Sequence, residues 1–410
     1  MMPLALGIDL GTSGVRIAVI TEAGDCVHSE ATGYRHGLVD AADWLHCCTT
    51  LIRAIPESLR LRINALAIDG TSGTLLACDA EGEPLGDALP YNLAFPGHGQ
   101  QLNALVPEGG PAASTSGSLA RALVLIERHG DHILLRHQAD WVSGWLLQNW
   151  TWGEEGNNLR LGWILQAQGW ADAVAQQPWA DALPRICASG QVMGQIDAGV
   201  AQQLGLQAGV CIVAGTTDSN AAVLAAHPGD GEGITVLGST LVIKCFNEAP
   251  VHGPGITNHR VGGRWLCGGA SNTGGAVLLQ HFPGVDLAEL SRQIDPDQSS
   301  GLDYWPLASV GERFPIDDPL LAPRITPRPV SDALFLQGLL EGIARIEAQG
   351  WQRLTELGAK RPHQLITLGG GARNPQWRRI RERIVGCRIT SCLTPPAAGV
   401  ARLAVPHLHH

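Results

Sequence analysis

The sequence predicts two α/β domains of duplicated architecture around a central interdomain cleft, and three observations carry that expectation. An apolar strand, Leu6-Gly7-Ile8-Asp9-Leu10, enters a Gly11-Thr12-Ser13-Gly14 turn and leaves as a second apolar strand through Ile20. The same device recurs at Thr235–Lys244, with Gly238-Ser239-Thr240 in the turn. The chain has 410 residues, more than the roughly 250–300 at which single cores stop growing. The two hairpins suit a division into 1–228 and 229–410.

The elements follow in order. Strands at 4–10 and 15–20 precede a turn at Glu22-Ala23-Gly24-Asp25, and residues 40–55 carry apolar side chains at helical spacing. The strand 63–69 runs into Gly70-Thr71-Ser72-Gly73-Thr74, and Leu75–Cys78 opens a further hairpin, so the sheet is mixed. Residues 92–118 read as loop, and 118–129 and 140–150 as helices. A buried strand, 210–215, ends in Thr216-Thr217-Asp218-Ser219 before an alanine-rich helix over 220–226, and the boundary is placed near 227–231. In the second half the strand 265–269 precedes a short helix, a Pro-rich loop spans about 304–330, and 332–357 is a long helix. The strand 364–368 then meets Gly369-Gly370-Gly371, which begins a helix near Asn374, and 397–405 closes the chain before a tail with His407, His409 and His410.

Composition excludes several classes. Hydrophobic residues make up 45% and charged residues 16%, a well-buried globular balance. A net charge of −10 argues against a nucleic-acid partner, which needs a basic surface. No stretch approaches the roughly twenty apolar residues of a spanning helix, and the N-terminus lacks a signal-peptide pattern, so a cytoplasmic protein with no membrane partner is expected. The ten cysteines, scattered from Cys26 to Cys392 without a Cys-x-x-Cys pair, read as buried reduced thiols. The histidines lack metal spacing, and no structural metal is assigned.

The chemistry concentrates at turns and strand ends. Gly11, Thr12 and Ser13, and again Gly238, Ser239 and Thr240, offer backbone N–H groups that can converge on an anion, with Arg16 adding a planar cation. Such turns on two halves suggest closure on one nucleotide from both sides. Asp218 sits where a buried strand gives way to a helix, and reads either as an N-cap or as a carboxylate facing a cleft opposite Asp9. In the second case one carboxylate serves as base while the other organises magnesium-bound phosphate. Asp69, Thr71 and Ser72 end another strand and could face the same cleft; Asp140-Trp141 and Asn157 stand where a polyol could be held, though Asp140 equally reads as a cap and Trp141 as core. The Gly369-Gly370-Gly371 turn lets a nucleotide lie against backbone, or simply starts a helix. Together these are the parts that phosphoryl transfer to an alcohol needs.

Four segments in this order resemble the FGGY carbohydrate kinases of the sugar kinase, Hsp70 and actin superfamily. They are Asp9-Leu10-Gly11-Thr12-Ser13 with Arg16, Gly215-Thr216-Thr217-Asp218, Gly238-Ser239-Thr240, and Gly369-Gly370-Gly371-Ala372-Arg373-Asn374-Pro375-Gln376-Trp377. The resemblance implies an actin-like, ribonuclease H-like duplicated fold, ATP and Mg2+ as cofactors, Asp218 as catalytic base, and Asp9 near the metal through water. The segment Ile68-Asp69-Gly70-Thr71-Ser72-Gly73-Thr74 is similar to the compact D-ribulose kinases of cyanobacteria and plants. By that likeness Asp9, Ser72 and Asp218 contact a ketopentose, with Asp69 and Asp140 as further sugar candidates. Gly370, Gly371, Asn374 and Trp377 would hold the adenine nucleotide. Typical xylulose kinases have Gly-Gln-Met-His-Gly or Gly-Gln-Gln-His-Gly where this chain has Gly70-Thr71-Ser72-Gly73, which points away from D-xylulose. The expected protein is a monomeric or homodimeric D-ribulose kinase. The alternatives are a D-xylulose or other polyol kinase, or a weak ATPase that acts as a nucleotide-dependent binding protein on the same fold.

Overall fold

The computed structural model describes residues 2–409. The chain divides into two compact units. The first runs to Ala225 and takes in Arg260–Gly263 and the chain from Thr394 onward; the second comprises Ala226–His259 and Arg264–Leu393.

The first unit is built on a six-stranded mixed sheet. Its strands are β1 (Leu4–Leu10), β2 (Gly14–Ile20), β3 (Cys26–Gly33), β4 (Ile63–Gly70), β5 (Val192–Gln195) and β6 (Cys211–Thr217), in the spatial order β5-β6-β4-β1-β2-β3. The three strands β1, β2 and β3 form an antiparallel meander, and β1, β4 and β6 run parallel. Parallel strands need covered faces, and β1, β4 and β6 are accordingly apolar and buried along their lengths. Helices α1 (Ala41–Ala54), α2 (Ser118–His129) and α3 (Gln138–Leu147) lie between β3 and β5 in the chain, and α4 (Asp218–Ala226) follows β6 directly. Asp40 caps α1 by accepting the Ala42 N–H at 2.9 Å. Trp44 of α1 meets Trp141 of α3 edge to face at 5.9 Å within the core.

The second unit repeats this plan. Its strands are β7 (Glu232–Leu237), β8 (Leu241–Asn247), β9 (Ile256–Val261), β10 (Arg264–Ser271), β11 (Gln364–Leu368) and β12 (Arg388–Ser391), in the order β9-β10-β8-β7-β11-β12. Here β7, β8 and β10 form the meander, while β7, β11 and β12 run parallel. Helix α5 (Asp332–Glu356), capped by Ser331, and helix α6 (Pro375–Val385), capped by Asn374, pack against each other and supply core residues of this unit. A buried pair ties them together: Arg381 of α6 donates to Glu347 of α5 at 2.6 and 2.7 Å. Thr235 of β7 and Thr367 of β11 complete that network at 2.6 and 2.7 Å. A buried charge pair needs such hydrogen bonds to offset its desolvation.

The last helix, α7 (Pro396–Ala404), was expected within the half 229–410, yet it belongs to the first unit. Glycine makes that position accessible. A Cβ on Gly7 of β1 would stand 1.8 Å from the Ala397 carbonyl oxygen, and one on Gly399 would stand 2.0 Å from that of Ala221. The edge strands β3, β5, β9 and β12 escape sequence reading because none shows a sustained apolar alternation; β3 has no buried position. All ten cysteines are free thiols.

Gly7→Ala is expected to destabilise the chain by about 1–3 kcal/mol or more, the cost of forcing a methyl into packed backbone. Urea unfolding checks this, and a midpoint equal to that of the parent would refute the close approach.

Candidate functional site

The parallel register of β1, β4 and β6 brings three carboxylates to one end of one sheet. Asp9 pairs with Asp69, and Asp69 with Thr216, two residues before Asp218. A register shift between Val213 and Thr216 lets β6 bend there, and Gly215 approaches so near that a Cβ would lie 1.8 Å from the Ile68 carbonyl oxygen. Asp218 is half-buried as the first residue of α4, its Oδ1 accepting the Ser219 N–H at 2.7 Å. Asp9 and Asp218 therefore meet within a single unit and are not assembled from opposite sides of a hinge.

Crowding sets the electrostatics. Asp69 is fully buried, and the Asp9 and Asp69 carboxyls approach without the geometry of a hydrogen bond, so neither Asp69 oxygen has a hydrogen-bond partner among the described residues. Burial first, then the charges of Asp9 and Asp218, push the Asp69 carboxyl well above the usual range. Burial also raises Asp9; the neighbouring Asp69 carboxyl and Arg16 pull it down, while Asp218 pushes it up. These are hard oxygen donors of the kind Mg2+ takes. Among the described residues no group of three or more His, Cys, Asp or Glu is arranged to cage a metal. A Mg2+ that keeps its waters and phosphate ligands fits this set; a dehydrated, all-protein site does not.

Both hairpin turns present free amides. In the first, Gly11 N–H donates to the Gly14 carbonyl at 2.9 Å, and the Ser13 carbonyl is taken by Tyr34 N–H. That leaves the Thr12 and Ser13 N–H groups without an acceptor among the described residues. In the second, Gly238 N–H donates to the Thr240 carbonyl at 3.2 Å, and the Ser239 and Thr240 N–H groups are likewise uncommitted. Consecutive free amides in a turn form a concavity for phosphate oxygens. The recess at the first turn, about 340 Å³, is lined by Asp9, Gly11, Ser13 and Arg16. The Gly70–Thr74 turn is held by Gln138, whose Oε1 accepts from Thr71 N–H at 3.2 Å and Thr71 Oγ1 at 2.8 Å. Within it the half-buried Ser72 hydroxyl makes no hydrogen bond among the described residues.

The second unit contains a cavity of about 810 Å³ between the Gly238 turn, the Gly370-Gly371 turn and α5. Its lining includes Gly238, Ser239, Gly370, Gly371, Asn374 and Trp377, so one cavity gathers most of the sequence-predicted nucleotide residues of this half. Gly369 permits the turn: its φ is +84° and a Cβ would meet the Leu237 carbonyl oxygen at 2.6 Å. Gly371 seats the Trp377 ring, which a Cβ would meet at 2.7 Å.

Other predicted residues are committed elsewhere. Asp140 is buried with its Oδ1 accepting Glu154 N–H at 2.8 Å and its Oδ2 accepting Asn158 Nδ2 at 3.0 Å, beside His137 at 3.6 Å. Trp141 is core, its Nε1 donating to the Gly82 carbonyl at 2.9 Å. Asn157 is buried, donating to Glu154 at 2.9 Å, and its Oδ1 is unpartnered. Sequence reading missed Gln138 and Tyr34, which tie the Gly70–Thr74 turn to the Gly11 turn through bonds of 3.2 and 3.1 Å. A single amide and a single phenol leave no local pattern. It also missed the apolar cavity wall from α5, Leu336 and Leu340, which reads as ordinary helix core.

Two units of matching topology, each with a phosphate-suited hairpin turn, define the mixed α/β sugar kinase fold of the actin-like ATPase type. Residues 233–406 match the FGGY family of carbohydrate kinases, C-terminal domain. The chain is 25% identical to the xylulose kinase of Escherichia coli K12 over 447 residues, covering 97% of this chain and 89% of that one. Among solved structures, a xyloylose kinase from Brucella ovis superposes with a TM-score of 0.84 at 20% identity, covering 99% of this chain and 90% of the other. Plasmodium falciparum glycerol kinase with ADP gives a TM-score of 0.82 at 17% identity, covering 98% and 89%. Residues 233–406 thus form an FGGY carbohydrate kinase C-terminal domain, and the chain is a sugar kinase resembling the xylulose kinases. No helix among its described residues is long and apolar enough to cross a membrane.

Because native Asp69 holds its proton more tightly than the unfolded chain does, stability is greatest below the unfolded carboxyl's range and falls as pH rises from there toward the raised native value. Asp69→Asn removes that decline. Its Tm at pH 8 is expected to exceed that of the parent by about 2–4 °C, the shift 1 kcal/mol produces in domains of this size. The gain should shrink toward pH 4, and a variant melting no higher than the parent at pH 8 would contradict a raised Asp69 carboxyl.

Proposed function

We propose that this chain transfers the γ-phosphoryl group of ATP to the terminal hydroxyl of a ketopentose, converting D-ribulose to D-ribulose 5-phosphate. One observation carries the reading: Asp9, Asp69 and Asp218 gather at the end of one sheet, whose first hairpin turn leaves the Thr12 and Ser13 amides free. The first unit takes the sugar and supplies the base; the second takes the nucleotide in the cavity between Gly238 and Trp377.

Asp218 accepts the proton of the attacking hydroxyl, in keeping with its half-exposed position at the start of α4. Ser72, with an uncommitted hydroxyl, orients the sugar, while Asp69, fully buried, acts behind it through its neighbours Asp9 and Asp218. In the first unit the free amides of Thr12 and Ser13, with Arg16, are suited to phosphate oxygens where negative charge develops; in the second the free amides of Ser239 and Thr240 offer the same chemistry. Asp9 would hold Mg2+ through water, and the ion would supply neutralisation of phosphate charge. Asp140 supports the sugar side indirectly, by fixing Glu154 and Asn158 around it.

D-Ribulose is preferred over D-xylulose because the Gly70-Thr71-Ser72-Gly73 turn presents a short hydroxyl where typical xylulose kinases carry a longer side chain. Discrimination between such isomers rests on one or two hydroxyl contacts. A second reading, D-xylulose as acceptor, is favoured by the name of the Escherichia coli relative.

Asp218→Asn is expected to lower ketopentose-dependent ADP release by about 10²–10⁴-fold, with ADP affinity unchanged in a titration. Full activity in that variant would remove Asp218 as base. ADP release measured across D-ribulose, D-xylulose, L-ribulose and ribitol should be fastest with D-ribulose. Faster turnover with D-xylulose would reassign the acceptor, and sugar-independent turnover across the panel would favour a nucleotide-dependent binding protein.

A further inference from the structure

The nucleotide cavity bears on which base it takes. Its walls are largely apolar, with Leu237, Leu278, Leu287, Leu336 and Leu340 prominent. Of the polar side chains there, Ser291, Arg292 and Asn374 are already engaged. Asn374, which the family resemblance assigns to the adenine nucleotide, accepts the Trp377 N–H through Oδ1 at 3.0 Å and donates through Nδ2 to Ser291 Oγ at 2.8 Å. Both ends of that amide are occupied in holding the start of α6. Arg292 pairs with Glu289. The Trp377 indole N–H is buried without a protein partner, and it can only donate.

Gln376 differs from all of these. It is half-buried, lines the cavity, and its amide makes no hydrogen bond with any described residue. A primary amide carries an acceptor and two donors on a broad terminal torsion. A 6-aminopurine offers a donor at N6 and an acceptor at N1; a 6-oxopurine offers the reverse, an acceptor at O6 and a donor at N1. Half a turn of one amide satisfies either. An apolar wall selects a flat ring of purine size by shape and separates isosteric rings only weakly.

We propose that the base subsite admits 6-amino- and 6-oxopurines alike, with Gln376 turning its amide to suit each, so that GTP and ITP serve as phosphoryl donors beside ATP. The donor role rests on the kinase reading above, whereas the base subsite can be tested without it. In the whole chain without sugar, displacement of a fluorescent adenine nucleotide by ADP, GDP, IDP and CDP reports this subsite alone. GDP and IDP are expected to bind within about tenfold of ADP, and CDP more weakly. A preference for ADP over GDP and IDP beyond about tenfold overturns the proposal, as does CDP binding as tightly as ADP. Gln376→Lys keeps only donors, which suit the O6 of a 6-oxopurine, and should move the GDP-to-ADP affinity ratio toward GDP by about tenfold. An unchanged ratio removes Gln376 from base reading. Loss of ketopentose phosphorylation would leave these affinities untouched, so failure of the kinase reading and failure of this one are told apart.

Discussion

Three acidic side chains converging on the ends of neighbouring parallel strands form the constraint around which the first unit is organised. Water cannot reach Asp69 to solvate a charge there, and Asp9 and Asp218 oppose ionisation further. Such crowding is unfavourable for the fold alone. It stands beside a turn with free amides and Arg16, a setting suited to anions. The strain is confined by geometry: a bent β6, and a glycine at 215 that lets β6 press against Ile68.

Each unit holds its site by a different means. In the first, contact without side chains is central, since Gly7 and Gly399 let backbone meet backbone beneath the sheet and beside α4. The polar support there is a chain of single hydrogen bonds, Gln138 to Thr71, Gln138 to Tyr34, and Tyr34 to the Gly11 carbonyl. In the second, the Glu347–Arg381 pair and its two threonines join two helices to two strands. Breaking one partner of a buried pair leaves an uncompensated charge, so this network holds α5, α6, β7 and β11 together. All four elements reach the cavity of about 810 Å³ or the turns that border it, which ties that cavity to the core of the unit.

Much of this was legible in the chain. The two hairpins, the buried strand before Asp218, the long helix 332–356 and the glycine turn before Asn374 announce themselves through apolar period and turn chemistry. Asp218 was ambiguous between cap and base, and it is both the first residue of α4 and a member of the acidic cluster. Asp140 and Trp141 looked equally available for ligand, yet hydrogen bonds to Glu154, Asn158 and Gly82 commit them to the interior. No local pattern distinguishes a buried acid with partners from one facing a cleft.

Identity of turn, strand and helix is a matter of neighbours along the chain, so hydrophobic spacing and glycine placement were enough to read the duplicated plan and the phosphate-suited loops. Membership of one acidic cluster is a matter of register between strands separated by some sixty and two hundred residues, visible only once Asp9 stands opposite Asp69 and Thr216. The return of α7 to the first unit, against a boundary that the hairpin repeats and the 220–226 helix placed near residue 228, was likewise settled by packing. Backbone-to-backbone fit at Gly7 and Gly399 depends on the shapes of both surfaces, and a linear chain encodes those shapes only through the finished fold.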